Sequence, residues 1–182
     1  GNDGIIAWGR WLGGTDSAGR NLAPFPDGNG PFHYVVGLPV TNMPQSGEAT
    51  YSAIGATASC GSSGCQSVAV TGATLSVNFG TLSGTHSTSM LINGVPSNFT
   101  GSLGVSSGAI DLRRFDASGY GYGSANGYSF EGYINGRGVL AGDGASRAGM
   151  AFRVTGSVYG PGYGYFSSSS ITANGAIAYK KQ

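Results

Sequence analysis

Charge is scarce in this chain. Only 9% of its 182 residues are Asp, Glu, Lys or Arg, roughly a third of the usual share. Lysine occurs only at Lys180 and Lys181, and the net charge is +1. Without a basic stripe the chain lacks the electrostatic footprint of a nucleic-acid binder. No apolar run reaches the ~18 residues that a membrane-spanning helix needs. No segment keeps a helical period either, which excludes helical bundles and doubly wound α/β folds. Only two histidines, His33 and His86, and eight carboxylates are available for acid–base chemistry.

What is present is glycine, 35 of 182 residues, with 40% apolar and 11% aromatic residues. Glycine at this level can signal disorder, but the apolar residues alternate. Ala73, Leu75, Val77 and Phe79 share one face of "GATLSVNFG". Ala148, Met150, Phe152 and Val154 do the same in "RAGMAFRV", as do Ile171, Ala173, Ile177 and Tyr179 in "ITANGAIAYK". Period two with one apolar face describes a half-buried strand. Strands are expected at 4–11, 33–38, 47–56, 72–80, 84–93, 97–106, 127–134, 137–141, 147–156 and 171–180. Asn135-Gly136, between two short apolar runs, predicts a tight hairpin turn. Sequential antiparallel strands bury one face and lose their edges by closing into a barrel. The expected fold is therefore all-β, a soluble antiparallel up-and-down barrel of about eight strands with long end loops. One domain spans 1–182, with an N-terminal strand and long loop at 1–32 and the barrel at 33–182. Apolar stripes rich in Ala and Gly argue against a lipid-facing barrel.

The cysteines stand in "CGSSGC". A Cys60–Cys65 disulfide is the leading reading of that tight loop, ahead of a free pair, with a redox or metal role last. It implies an oxidising compartment. A polar surface of Ser, Thr, Asn and Gly suits exported bacterial β-proteins by analogy.

Tests for catalysis fail. Glu48 and Glu131 fall on outer strand faces as solvated charges, not as a glycosidase pair. Neither histidine carries the pattern of a triad. "GYGYGSANG" and "GPGYGYF" look like phosphate loops, but no helix follows either of them. "DGNG" (27–30) and "GDG" (142–144) lack the ligand spacing of a calcium loop. In "GDGASRAGMAF", Gly142–Gly144 are expected to form a turn and Ala148–Phe152 a barrel wall. No enzyme activity, cofactor or metal is expected. Trp8 and Trp11 of "AWGRW" are read as an aromatic platform, or as a core or plug tryptophan with Arg10 at the rim.

The segments 12–32, 107–126 and 159–170 read as long loops, which are functional or mobile. Two of them concentrate Tyr and Arg among Gly and Ser, the composition of adaptable binding surfaces. The candidate partner-binding residues are Arg113, Arg114, Tyr120, Tyr122, Tyr159, Tyr163 and Tyr165. The competing reading packs these tyrosines back onto the barrel.

An ordered series of stretches carries a resemblance: "IAWGRW" (6–11), "HYVVGLPVTNMPQSGEATYSAIGAT" (33–57), "LSVNFG" (75–80), "FEGYINGRGVLAGDGASRAGMAFRV" (130–154) and "ITANGAIAY" (171–179). Together they resemble the C-terminal β-barrel of FecR-type and stand-alone exported bacterial proteins, itself similar to the barrel of transferrin-binding protein B and related surface lipoproteins. The resemblance implies an extracytoplasmic barrel, in the periplasm or at the bacterial cell surface, usually without catalysis. It supplies no ligand residues. A lipid anchor on a removed N-terminus would fit it. The expected function is a non-enzymatic binding module contacting a protein or other surface macromolecule through its end loops. The alternative is a lipocalin-like carrier with a small apolar ligand inside the barrel.

Overall fold

The computed structural model describes residues 1–11, 13, 17–19, 32–105, 114–160 and 168–182. Ten strands form among them: β1 (Ile6–Trp11), β2 (Phe32–Gly37), β3 (Glu48–Cys60), β4 (Val68–Asn78), β5 (Ser83–Ile92), β6 (Val95–Val105), β7 (Arg114–Ala125), β8 (Tyr128–Ala141), β9 (Arg147–Tyr159) and β10 (Ser168–Lys181). Strands β3 to β10 close an eight-stranded barrel in which every neighbouring pair is antiparallel and β10 pairs with β3. The all-β, antiparallel, up-and-down barrel of about eight strands that was expected is the one observed, while much of the expected end loops lies outside the described residues. No described helix is long and apolar enough to cross a membrane.

The alternating stripes point inward as the period predicted. Ala148, Met150, Phe152, Val154, Ile171, Ala173, Ile177 and Tyr179 are all buried. The outer faces carry mostly Ser, Thr, Asn and charged residues, with scattered Ile54 and Leu91 and exposed tyrosines on β7 and β8. That is the reverse of a barrel whose outer band faces lipid.

Glycine has a packing role in this interior. Gly121 lies opposite Phe99, Gly138 opposite Phe115, and Gly175 opposite Phe152. A Cβ on any of the three would run into the facing ring. Phe130 lies against Gly132 and Gly156 in the same manner, where a Cβ would meet its Cζ at 2.8 Å. Each aromatic ring thus fills the volume that a neighbouring strand leaves empty, a pairing that stabilises glycine-bearing sheets. The unusual glycine content follows from a narrow barrel that houses large rings.

The segment 107–126, expected as a loop, contains β7. Its alternation is Phe115, Ala117, Gly119, Gly121 and Gly123, so the core face lacks apolar side chains over half its length. The expected hairpin at Asn135-Gly136 is likewise absent, because β8 runs unbroken through it. Gly136 is there because a Cβ would press on the Met150 side chain at 2.8 Å. Asn93-Gly94 and Asn126-Gly127 are the real turns, with φ of 49° and 78° in the first and 53° and 79° in the second. Two consecutive left-handed residues suit a two-residue hairpin.

Strands β1 and β2 form a separate two-stranded sheet lying on the outside of β9, β10 and β3. Its bed is built from small outward residues. Ala176 and Ala178 are fully buried beneath it. A Cβ on Gly55 would strike Trp8, and one on Gly149 would strike Val35. Trp8 therefore packs outside the barrel and plugs nothing. β1 pairs with β2 without a bulge, and Trp11, on the other side of it, is 49% exposed. His33 pins the hairpin down: its Nδ1 lies 2.9 Å from Thr57 Oγ1 and its Nε2 2.7 Å from Ser59 Oγ. Arg147 pairs with Asp3 on the same side. Partial burial alone would raise the Asp3 carboxyl. The Ile6 amide, the Arg147 side chain and the Ile5 amide outweigh it and hold Asp3 down to about 2.

The turn expected at Gly142–Gly144 is present, as one 3-10 turn at Asp143–Ala145. It docks residues 38–42 against the barrel end. Asp143 accepts hydrogen bonds from Thr41 Oγ1 and Asn42 Nδ2, both at 2.7 Å. From within the barrel Tyr51 donates its hydroxyl to the Ala145 carbonyl at 2.7 Å. Burial pushes the Tyr51 phenol up to about 12.

The disulfide joins Cys60 to Cys65, with Cα atoms 5.3 Å apart. The loop it closes is short, so its entropic effect is modest. Cys60→Ala/Cys65→Ala should lower the unfolding free energy, measured by urea denaturation, by about 2 kcal/mol or less. A larger loss would mean that the bridge organises more of the barrel than its own loop.

Candidate functional site

Lateral register turns scattered residues into one surface. Across β6, β7, β8 and β9 the outward residues line up in rows about 4.8 Å apart between strands and about 6.8 Å apart along them. One row runs Asn98, Tyr122, Glu131, Ser157, and the next Thr100, Tyr120, Tyr133, Thr155. A third runs Ser102, Ser118, Asn135, Arg153, and a fourth Gly104, Asp116, Arg137, Ala151.

The first two rows form an aromatic patch. Tyr120, Tyr122 and Tyr133 are 47%, 58% and 59% exposed, too much for side chains that pack a loop onto the barrel. The rings of Tyr120 and Tyr133 are nonetheless fixed. Tyr120 and Tyr133 meet edge-on with centroids 5.3 Å apart. Tyr159 donates its hydroxyl to Glu131 at 2.7 Å, and Tyr120 donates to the other oxygen of the same carboxylate at 3.4 Å. The Tyr120 phenol is raised by partial desolvation and by that carboxylate; the Tyr159 phenol is raised first by its hydrogen bond to Glu131. Both remain protonated donors at neutral pH. Glu131 thus orients two rings by their hydroxyls, and cross-strand contact orients a third.

The lower two rows form a groove of about 680 Å³. Its floor is low because Gly104 and Ala151 put little or nothing outward. Arg137 stands over it with its Nε 3.3 Å from Asp116. Arg153 is exposed on the other wall, with no carboxylate in ion-pair reach among the described residues. Ser102, Ser118 and Asn135 complete the lining.

The structure brings together Tyr120, Tyr122 and Tyr159 of the sequence candidates, but on strands rather than in end loops. Strand geometry gives a rigid display that a loop would not. Arg114 opens β7 on the same face as Tyr120, six residues away, so about 20 Å separates them; it belongs to another part of the surface. Arg113, Tyr163 and Tyr165 lie outside the described residues. Tyr133, Glu131, Asn135, Arg137 and Arg153 escaped the sequence reading as site residues. The signal was there in "EGYINGR", where Glu131, Tyr133, Asn135 and Arg137 alternate with glycine and isoleucine.

The interior offers no comparable site. Tyr51, Tyr179, Phe99, Phe130, Met90 and Met150 fill it, and Phe99 and Phe130 touch at 5.7 Å between centroids. The carrier alternative is not favoured by a lumen so filled. His86 is buried there with neither ring nitrogen hydrogen-bonded. Burial lowers its pKa; the Ser118 carbonyl, near but outside hydrogen-bond geometry, offsets part of that. Among the described residues no cluster of His, Cys, Asp or Glu could hold a metal ion.

No protein-family model matches the chain, and no curated protein sequence does. Solved structures similar to it include transferrin-binding protein B of Haemophilus parasuis Hp5 as the Trp-176-Ala mutant, at 15% identity and a TM-score of 0.48, and as the Tyr-167-Ala and Trp-176-Ala double mutant, at 16% and 0.47. In both cases the similarity covers 98% of this chain, and 33% and 32% of the other. The chain spans about a third of the length of each.

Proposed function

We propose that this chain is a non-enzymatic, exported binding module that engages a macromolecular partner through the outer face of β6–β9. The observation that carries this reading is the row of tyrosines that are oriented by neighbours yet left open to solvent. Ordered, exposed aromatics lose little entropy on binding and bring large contact area. The filled lumen directs the proposal to the outside of the barrel. Non-catalytic function is supported by the histidines: His33 is occupied by two hydroxyls of β3, and His86 is sealed in the core. Among the described residues neither stands in hydrogen-bond reach of a carboxylate.

An extracytoplasmic location is part of the same proposal. It rests on the disulfide and on the sequence resemblance to the barrel of transferrin-binding protein B and related surface lipoproteins. A lipid anchor preceding Gly1 would hold such a barrel at an envelope surface.

The test is capture from solubilised envelope material of the native host by the immobilised chain. Tyr120→Ser/Tyr133→Ser should reduce the specifically retained material at least tenfold. Trp11→Ser, an exposed aromatic on the hairpin, should leave it unchanged. Equal loss in both variants, or no loss in the tyrosine variant, removes the β6–β9 face as the contact surface.

A further inference from the structure

Taking that face as the binding surface, we infer that its partner is a carboxylate-bearing glycan, seated in the groove below the Tyr120–Tyr133 pair. The inference deepens the proposal above by naming the chemistry that the four rows fit.

The groove is lined by planar, multidentate groups. Asp116, Asn135, Arg137 and Arg153 each present two or more donors or acceptors in a fixed plane. Such groups pair with vicinal hydroxyls, which a saccharide offers on adjacent ring carbons. Ser102 and Ser118 add short hydroxyls that leave the floor low. About 6.8 Å along the strands from the Asn135–Arg153 row, the tyrosine pair supplies flat apolar faces. A sugar ring has matching faces of C–H bonds, and its equatorial hydroxyls point away from the stack. A short chain laid along the strands would meet the tyrosines first and the charged row about 13 Å on.

Charge selects the kind of sugar. Asp116 is neutralised by Arg137 at 3.3 Å. The Glu131 carboxylate is engaged by the hydroxyls of Tyr120 and Tyr159. Glu131 leaves the four rows neutral in sum, but it stands two rows from Arg153, about 13 Å along the strands, so Arg153 is exposed with no carboxylate in ion-pair reach among the described residues. An exposed guanidinium that accepts a planar anion side-on fits a carboxylate bidentately. A protein partner would call for large apolar anchors in the groove, and its apolar side chains are Ala117, Ala151 and Phe152, of which the one large ring points into the barrel. A nucleic acid would call for a run of cations, which the chain lacks.

Isothermal titration with the intact chain tests this, using oligogalacturonate as probe. Its carboxyl-reduced, neutral counterpart and a heparin fragment serve as comparisons. Oligogalacturonate should bind with a Kd of about 0.1 mM or tighter. The reduced oligomer should bind at least tenfold more weakly. Arg153→Ala and Tyr133→Ala should each weaken binding of the acidic oligomer about tenfold, Arg153→Lys less, and Arg114→Ala not at all. All are surface changes, and unfolding curves matching the parent confirm that each variant is folded. Equal binding of the reduced oligomer overturns the carboxylate requirement. Heparin binding that is stronger and indifferent to Arg153 reduces the groove to a diffuse charge effect and overturns the inference. If neither acidic probe binds while the tyrosine variant still loses envelope capture, the macromolecular reading stands and the glycan assignment falls.

Discussion

Phe130→Ala is expected to destabilise the barrel by about 3–5 kcal/mol, among the largest effects a single substitution can have here. Phe130 is fully buried, touches Phe99, and lies over Gly132 and Gly156. In most cores neighbouring side chains relax into a vacated volume. Here two of the neighbours are glycines, with no side chain to move in, and the strands are locked by ladders on both sides. The cavity therefore stays open and its cost lies at the high end. Chemical denaturation read by tyrosine fluorescence or circular dichroism measures it. A loss under about 1.5 kcal/mol would mean that the barrel collapses around the site and that the ring–glycine pairs do not set its dimensions.

Acid should unfold this protein earlier than its few carboxylates would suggest. His33 is desolvated at the hairpin interface with Arg10 nearby, and both effects lower its pKa; burial lowers that of His86 inside the barrel. A base with a depressed folded pKa binds its proton more readily in the unfolded chain. Stability from the neutral rings is thus complete above the unfolded value near 6.5 and is lost as pH falls below it, until the folded values are reached. The slope is at most roughly 1 kcal/mol per pH unit for each ring, reduced where solvent screens the charge. Asp3 acts lower, between its ordinary value and about 2, so the two regimes separate. Urea midpoints measured from pH 7.5 to 4.5 should fall steadily below pH 6.5. His33→Gln should flatten the curve by one ring's share, because glutamine can still meet the Thr57 and Ser59 hydroxyls without taking a proton. A flat profile over that window in the parent chain would mean that both rings are protonated in the fold as readily as in water.

The barrel was legible in the sequence wherever its inward residues were large. The stripes ending at Phe79, Val154 and Tyr179 alternate plainly, and period two together with edge closure leads to a barrel. The reading failed where glycine does the inward work. β7 points Gly119, Gly121 and Gly123 inward, so by hydropathy its core face vanishes while its tyrosines, facing out, look like a loop. The Asn135-Gly136 dipeptide has turn chemistry but sits where a facing methionine needs room. Local propensity cannot distinguish a glycine chosen for its dihedrals from one chosen for its missing Cβ. The site suffered for the same reason. Tyr120 and Tyr122 were found by residue type, but their companions Tyr133, Arg137 and Arg153 are joined to them only by register between strands, which no single stretch of sequence records.

The seam between β3 and β10 has a consequence for how the chain reaches this structure. All other wall strands pair with a neighbour in sequence, through turns or short connections, and such hairpins form on microsecond timescales. The seam joins the first wall strand to the last, and its loop-closure entropy must be met before its contacts repay it. Closure of the ring is therefore the slow, late event, with an open seven-hairpin sheet as the species preceding it. That sheet has two unpaired edges, rich in alanine and charged only at one end, by Glu48 on β3 and by Lys180 and Lys181 on β10; the uncharged remainder is the kind of edge that recruits another chain. The β1–β2 hairpin lies across this junction, touching β3 on one side and β9–β10 on the other. Once docked, it hinders the seam from reopening, so the small outward residues beneath it contribute to the lifetime of the closed ring as well as to its equilibrium stability.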